Sequence, residues 1–410
     1  MAEFVILGAG MVGVSSALAL QAQGHDVVIV DRVQSGVETS YGNAGIIQTE
    51  AVEPYALPRD VATLLRYALG SSNDVVWKFG ATWRMASALW RYFRLSAPEP
   101  YRAISKIYSQ LALRSTSDHQ PLIEASASEH LIRREGLAML YRDQGMFDEA
   151  CTRAQRLQRE YGLSSTIFSG ADYLAQEPAL LKPPKGVINW SQSWSCSDPG
   201  ALTQAYASLF EERGGSIVLG DASSVQQTSN GWSVVTQDGD ISGEHIVVAL
   251  GPWAPEVLRR FGYFIPMVYK RGYHGHYGSN HSLNRPFLDV SNGVLAAPMT
   301  KGIRVTTGAA LVNMEAPAEP VQLERGVKAL SDLLPLGQKV QEPQWFGTRP
   351  CLPDMLPMVG KAPRHDRMWF HFGHGHQGFT QGPTTAEYLV RAIQGESDDI
   401  LQALNPAGRF

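Results

Sequence analysis

Residues 4–31 read FVILGAGMVGVSSALALQAQGHDVVIVD, and this stretch decides the fold. Phe4–Leu7 is a short apolar run suited to a buried strand. Val12–Gln23 has helical spacing closed by Gly24, and His25–Val30 is a second apolar run ending at Asp31. Strand, glycine turn, helix and strand within so few residues form a βαβ unit, which crosses over right-handed into a parallel sheet. In the turn Gly8-x-Gly10-x-x-Gly13, the first glycine permits the tight bend, the second lets backbone approach a pyrophosphate, and the third allows close helix packing. The helix start, with Met11 and Val12, presents free N–H groups and positive partial charge to phosphates. Asp31, followed by Arg32, is placed to accept from ribose hydroxyls. The turn therefore predicts dinucleotide binding, without choosing between FAD and NAD.

Beyond this unit, Val61 to about His130 reads as mostly helical, Leu137–Tyr141 as a strand, and Phe147–Tyr161 as a helix ended by Gly162. Asp198-Pro199 opens another helix, which runs to about Arg213. Strands are expected at Ser216–Leu219, Trp232–Thr236 and His245–Leu250. An antiparallel set follows at Val268–Tyr277, Gly293–Pro298 and Gly302–Thr307. Val321–Leu334 and a closing stretch at Pro383–Gln394 read as helices. We expect an α/β fold in which residues 1–55, 141–255 and 345–410 form a discontinuous cofactor domain. Residues 56–140 and 256–344 are then an inserted α+β substrate domain on an antiparallel sheet.

The 410 residues carry 35 Lys and Arg against 39 Asp and Glu, a net charge of −4, so no basic field exists to attract nucleic acid. Three scattered cysteines, Cys151, Cys196 and Cys351, suit a reducing compartment better than a disulfide framework. No secretory signal is expected, since strand-like sequence begins at Phe4, and no run of apolar residues is long enough to span a bilayer. These features predict a cytoplasmic protein, attached to the inner face of the membrane if attached at all.

Three further segments narrow the cofactor. They are SYGNAGI at 40–46, VVALGPWA at 247–254, and the C-terminal pair GTRPCLPDMLPMVG (347–360) and HFGHGHQGFTQGP (371–383). Together with the glycine turn they resemble the D-amino-acid oxidase-like flavoprotein superfamily, particularly the bacterial D-amino acid dehydrogenases, over essentially the whole chain. The resemblance implies a glutathione-reductase-type, Rossmann-like FAD domain. It implies that Ser40, Asn43, Ala44 and Gly45 lie against the flavin, that Ala249, Gly251 and Trp253 pass near the cofactor, and that the Val225 backbone meets adenine. Gly375, His376, Gln377, Gly378, Phe379 and Thr380 then aim backbone N–H groups at the flavin O2/N1 edge, where negative charge gathers on reduction. His371, His374 and His376 also admit a metal reading, but the interleaved glycines and lack of cysteine or carboxylate partners fit a backbone loop better, so no metal is expected.

At the substrate end the resemblance implies that Arg349 grips the substrate carboxylate, with a salt bridge of the kind its neighbour Asp354 could make as the bland alternative. Tyr273 and His274 are further catalytic candidates, although a strand aromatic is more often core. Two departures matter. Ala310 occupies a position that is usually acidic in the family, and no cysteine sits at the stretch matching Gly347, where covalently flavinylated relatives attach the ring, Cys351 lying beyond Arg349, so FAD is expected to be non-covalent. The implied activity is oxidative deamination of a D-amino acid to the 2-oxo acid, with electrons passed to a quinone or carrier protein. Rivals are a secondary amine substrate (sarcosine, a cyclic imino acid or an opine) and a non-catalytic flavin-binding subunit.

Residues 77–94, WKFGATWRMASALWRYFR, leave two readings open. They form a peripheral membrane contact near a quinone pool, or an amphipathic segment packing its aromatics inside the substrate domain. Arg94 falls back onto the side of Trp83 and Trp90, so charge and aromatics segregate imperfectly and the second is preferred.

Overall fold

The computed structural model describes residues 2–68, 73 and 75–410. Its first sheet has eight strands, five of them parallel in the order Ser216–Leu219, Val27–Asp31, Ala2–Leu7, the second half of Gly239–Val248, and Met368–Phe372. Both faces are covered, as near-continuous apolar strands require. Phe4, Ile6 and Ile29 point into a core with helices Met11–Ala22, Pro199–Glu212 and Gly378–Ile393. Val5, Leu7 and Val30 point to the opposite core, with Trp232, Val234 and Phe370. Each fully buried side chain of this size contributes about 1.5–3 kcal/mol. Gly239–Val248 is long enough to serve two partners. Its first half pairs antiparallel with Gly231–Thr236 in a meander, and its second half pairs parallel with Ala2–Leu7. The expected fold class is found.

The second sheet has ten strands, mostly antiparallel, with Val268–Tyr277 central between Gly302–Thr307 and Trp345–Cys351. The expected domain limits differ from the observed sheets at three places. Ser165–Ser169 and Gly186–Trp190 join the ten-stranded sheet beside Leu137–Tyr141, although residues 141–255 read as cofactor-side. Trp345–Cys351 also belongs to that sheet, so position 345 does not begin a purely cofactor-side segment. Conversely, helix Pro98–Ala125 places Ile104, Tyr108, Leu111 and Ile123 in the core beneath the parallel sheet. Apolar strands and amphipathic helices announce that they are buried, not which sheet buries them.

Two helices also differ from expectation. The closing helix starts at Gly378, five residues before the proline that marks its expected start, and so carries Pro383 inside it. The segment 77–94 breaks at Met85 into helices Phe79–Arg84 and Ala86–Leu95. Small residues turn inward there, with Ala81, Met85 and Ala88 packing against Val268 and Leu311. Phe79, Trp83 and Trp90 are left 74%, 73% and 62% exposed, so the internal-packing reading of these aromatics is corrected.

Candidate functional site

A cavity of about 960 Å³ runs from the glycine turn to the face of the ten-stranded sheet. That is the upper end of the range for small-molecule sites, roughly 300–1,000 Å³.

At one end the backbone is shaped for a close-lying ligand. Gly8 has φ +109°, and a Cβ there would stand 2.6 Å from the Ala249 carbonyl oxygen. Gly13 brings its helix so near that a Cβ would meet the Gly8 oxygen at 1.9 Å. Gly8, Gly10, Met11 and Val12 line the cavity, and the Ser40 hydroxyl accepts from Met11 N at 2.9 Å. Asp31 Oδ2 accepts from Ala9 N and Oδ1 from Arg32 N, each at 2.6 Å, so the carboxylate ties the turn to the second strand while facing the cavity. Arg32 pairs with Glu38 and lays its guanidinium over Trp253 at 4.4 Å. Ala249 and Gly251 complete this end. Val225 does not line it. Its side chain is 1% exposed in the core, and Asp221, Ala222 and Ser223 take the wall position.

The middle is walled by the 40–45 loop. Asn43 and Ala44 line the cavity, while Gly45 turns away at φ +70° against the Cys196 carbonyl. Asn43 Oδ1 accepts from Gly45 N at 2.8 Å, and buried Arg304 donates to the carbonyls of Tyr41 and Asn43 at 2.8 and 2.5 Å. The loop is thereby fastened to the ten-stranded sheet.

Next comes the 373–380 segment. Gly375, His376, Gly378 and Phe379 line the cavity where helix Gly378–Ile393 begins, so its positive end faces inward. Gln377 and Thr380 sit behind them. The Gln377 amide contacts Gln48 and His376, and the Thr380 hydroxyl donates to the Ile46 carbonyl. Pro383 has no N–H to offer the Phe379 carbonyl four residues back. Buried His119 supplies it, Nε2 donating at 2.9 Å, while its Nδ1 accepts from Tyr206 Oη, also at 2.9 Å. Burial pushes His119 down to about 4, so it stays neutral in this role. The three neighbouring histidines do not converge on a point. His371 and His374 both bond Thr385 Oγ1, at 2.8 and 2.9 Å, whereas His376 bonds Gln377.

The far end is cationic. Arg349 reaches from Trp345–Cys351 across the central strand at Gly272 and donates to the carbonyls of Gly308 at 2.8 Å and Thr307 at 3.2 Å. The crossing requires glycine, since a Cβ on residue 272 would meet Arg349 Nη2 at 2.8 Å. No carboxylate among the described residues lies within ion-pair distance of Arg349, and Asp354 pairs instead with Arg409. Burial pulls the guanidinium below its ordinary value, which lies high enough that it remains charged. His376 is pushed down to about 3 by burial and by the charges of Arg349 and Lys270. Tyr273 and His274 are not in this wall. Tyr273 faces the opposite core and accepts from Glu319 N through its hydroxyl, and His274 is 1% exposed beneath a stacked Trp345 ring at 4.5 Å. His274, His276 and Glu342 lie together, but Arg304 Nε donates to His276 Nε2 at 3.0 Å, holding a guanidinium where a cation would have to sit.

Wall residues not anticipated from the sequence are Lys270, Gly272, Tyr55, Tyr92, Gln48 and Trp345. Period-two alternation along Val268–Tyr277 places 270 and 272 with 274 on one face, which is a usable signal for Lys270. Tyr55 and Tyr92 come from segments whose approach to this wall is purely tertiary. The glycine cradle, the two helix starts and the length of the cavity all fit FAD, for which Gly8, Gly10, Met11, Val12 and Asp31 would form the adenosine-pyrophosphate end and Ser40, Asn43, Ala44, Gly375, His376, Gly378 and Phe379 the flavin wall.

Comparison with known proteins agrees with this geometry. The family described as FAD dependent oxidoreductase matches residues 3–392. A D-amino-acid oxidase of Bradyrhizobium diazoefficiens is 26% identical over 99% of this chain and 98% of its own. A D-amino acid dehydrogenase of Cereibacter sphaeroides is 27% identical over 98% and 94%. Among solved structures, glycine oxidase from Geobacillus kaustophilus superposes with a TM-score of 0.75 at 17% identity, covering 100% of this chain and 99% of its own. Iminodiacetate oxidase from Chelativorans sp. BNC1 gives 0.72 at 17% identity, covering 100% of both chains.

Proposed function

The chain belongs to the FAD-dependent oxidoreductase family, and from that premise we propose that it oxidises the Cα–N bond of a D-amino acid or a closely similar amino acid, passing the electrons to an acceptor other than oxygen. The observation that carries the reading is Arg349, a half-buried guanidinium without a carboxylate partner among the described residues, lining the cavity beside the 373–379 segment. Two of its N–H groups are held by backbone carbonyls and three remain for a substrate carboxylate. FAD, held by the glycine turn and the 373–379 segment, would supply the two-electron acceptor for oxidation at Cα.

The protein's own part is binding, orientation and charge. Arg349 fixes the carboxylate and so directs Cα–H toward the loop side. The field of Arg349 and Lys270 lowers the pKa of a bound amine, favouring the neutral form that oxidation needs. His376, neutral and held by Gln377, offers the amine a hydrogen-bond partner without competing for its proton. The first turn of helix Gly378–Ile393 favours negative charge at its end of the cavity.

No helix among the described residues is long and apolar enough to cross a membrane. We assign a peripheral membrane contact to residues 77–94. Helix Ala86–Leu95 lines the cavity with Leu89 and Tyr92 and turns Trp90 outward, beside exposed Arg94. With Phe79, Trp83 and Arg84 it offers aromatic and basic groups suited to an anionic bilayer surface, an arrangement that would bring a membrane-borne quinone close to the cavity wall. Anaerobic bleaching of the bound flavin by a panel of D- and L-amino acids tests the proposal. Bleaching by D-amino acids with slow reoxidation in air is expected, rapid reoxidation would make the protein an oxidase, and no bleaching by any amine would overturn the reading.

A further inference from the structure

Lys270 is a second cation in the same cavity, and the proposed amine oxidation does not use its charge for binding. It sits directly opposite Arg349 in the antiparallel ladder between Val268–Tyr277 and Trp345–Cys351, so both side chains leave one face of the sheet. Both line the cavity. Their head groups then diverge. Arg349 leans over Gly272 toward the Thr307 and Gly308 carbonyls, while Lys270 Nζ donates to Tyr92 Oη at 3.0 Å and lies 4.4 Å from that ring's centroid. Two separated anion positions result, rather than one carboxylate gripped twice.

No acid compensates them. Among the described residues no carboxylate stands within ion-pair distance of Lys270 or Arg349. The acids that line the cavity are Asp31, Glu38, Asp221 and Glu256. The first three are engaged around the glycine turn, by Ala9 N, Arg32 and Ser223 N, and Glu256 follows Trp253 at that same end. Both cations act on one imidazole, His376, which marks where their fields meet. Burial works against the Lys270 ammonium, yet Cys351 and Tyr92 outweigh it and the group is held above its ordinary value. Lys270 is half-buried and bonded to a neutral phenol, with no carboxylate to match its charge, and a substrate with a single carboxylate leaves one of the two cations unmatched.

We propose that the preferred substrate carries a second anionic group received by Lys270, so that the enzyme acts on a dicarboxylic amine: an amino acid with an acidic side chain, or a secondary amine bearing two carboxylates. This rests on the reading of the site as an amino acid oxidation centre.

The test uses the holoenzyme and two readouts. Anaerobic flavin reduction is followed with D-aspartate, D-glutamate and iminodiacetate against D-alanine and D-methionine. Binding of the unreactive anions succinate and butyrate is followed by perturbation of the oxidised flavin spectrum. Expected is a preference for at least one dicarboxylic probe over the neutral ones, and for succinate over butyrate, each on the order of 10- to 100-fold. Lys270→Met should collapse both preferences, chiefly through KM, and Lys270→Arg should retain them. Lys270→Gln, which keeps a polar group near Tyr92, should collapse them likewise and takes the place of the Met variant if that one does not fold. Equal handling of mono- and dicarboxylic probes by the parent enzyme overturns the inference. So does a Lys270→Gln variant that keeps the preference while shifting the flavin potential, since the lysine would then serve the cofactor. If no amine reduces the flavin, the amine oxidation reading fails by itself, and the succinate–butyrate comparison still decides whether a two-anion site exists.

Discussion

Replacing Arg349 with alanine removes a guanidinium whose charge no acid among the described residues offsets. In the parent protein two of its N–H groups are spent on the Gly308 and Thr307 carbonyls, at 2.8 and 3.2 Å, and three are free toward the cavity. A bidentate grip on a carboxylate uses two of those three, and hydrogen bonds to charged groups contribute about 1.5–3 kcal/mol each. The expected loss is therefore about 3–6 kcal/mol, or roughly 10²- to 10⁴-fold in kcat/KM. Most should appear in KM, because the carboxylate is held alike before and during hydride transfer. A smaller part should appear in kcat, because Cα–H loses its fixed direction. Stability should not fall with activity. The variant removes a half-buried charge that no acid offsets, and the two carbonyls it leaves border a cavity that water can enter, so Tm should hold. FAD content should stay stoichiometric, since the glycine turn and Asp31 lie at the opposite end. The assay is anaerobic reduction of the bound flavin across substrate concentrations, with Arg349→Lys as the control that keeps charge but loses the planar fork. A kcat/KM within about threefold of the parent enzyme would refute the assignment, and loss of FAD with the substrate kinetics would move Arg349 from the substrate to the cofactor.

Gly272→Ala should reproduce part of this loss without touching a charged residue, because its Cβ would meet Arg349 Nη2 at 2.8 Å and Cζ at 3.1 Å. A fall of roughly tenfold in kcat/KM with FAD retained is expected from steady-state kinetics. Asp31→Ala releases Ala9 N and Arg32 N and should weaken FAD binding roughly 10- to 100-fold, read by titrating apoprotein with FAD. Burial holds His119 at about 4, His374 at about 3 and His371 well below its ordinary value, against about 6.5 in the unfolded chain. Between those limits the unfolded state binds more protons, so stability should be full above about pH 6.5 and fall on acidification, by up to about 4 kcal/mol per pH unit for the three, in denaturant titrations. Replacing Trp83 and Trp90 with serine should lower cosedimentation with vesicles containing phosphatidylglycerol at least about fivefold while leaving flavin reduction in solution unchanged.

The dinucleotide end is legible in the sequence because its requirements are local. A glycine at φ +109°, a helix start and an acid at the next strand's end are written within 31 residues, and each stands where expected. The substrate end is assembled from strands far apart in sequence, and there only part can be read. Arg349 stands out, but the sequence points to Tyr273 and His274 rather than to Lys270 on the same strand. Alternation excludes Tyr273, yet it cannot separate Lys270 from His274, which share a face. What separates them is Trp345, whose ring covers His274 and stops short of residue 270, and that depends on the register of two strands about seventy residues apart. Near Val225 the sequence is equally silent: the short 3₁₀ turn at Ala222–Ser224 brings the chain to the cavity just before residue 225, whose side chain packs into the core behind it.

Helix Gly378–Ile393 shows how a breach of a local rule can be tied to function. Proline at the sixth position of a helix ordinarily argues that the helix begins there. The helix begins five residues sooner because His119, from a different helix, hydrogen-bonds the carbonyl that Pro383 leaves open. Had it begun at Pro383, its positive end would lie further from the cavity and residues 378–382 would be loop. The early start sets the first turn, with Gly378 and Phe379, against the cavity wall, and the Thr385 hydroxyl within the helix joins it to His371 and His374. Removing the His119 side chain should therefore loosen the first turn while leaving Arg349 and Lys270 in place. In the proposed chemistry that turn favours the negative charge of the reduced flavin, so the damage should fall on the reduction potential before it falls on substrate affinity.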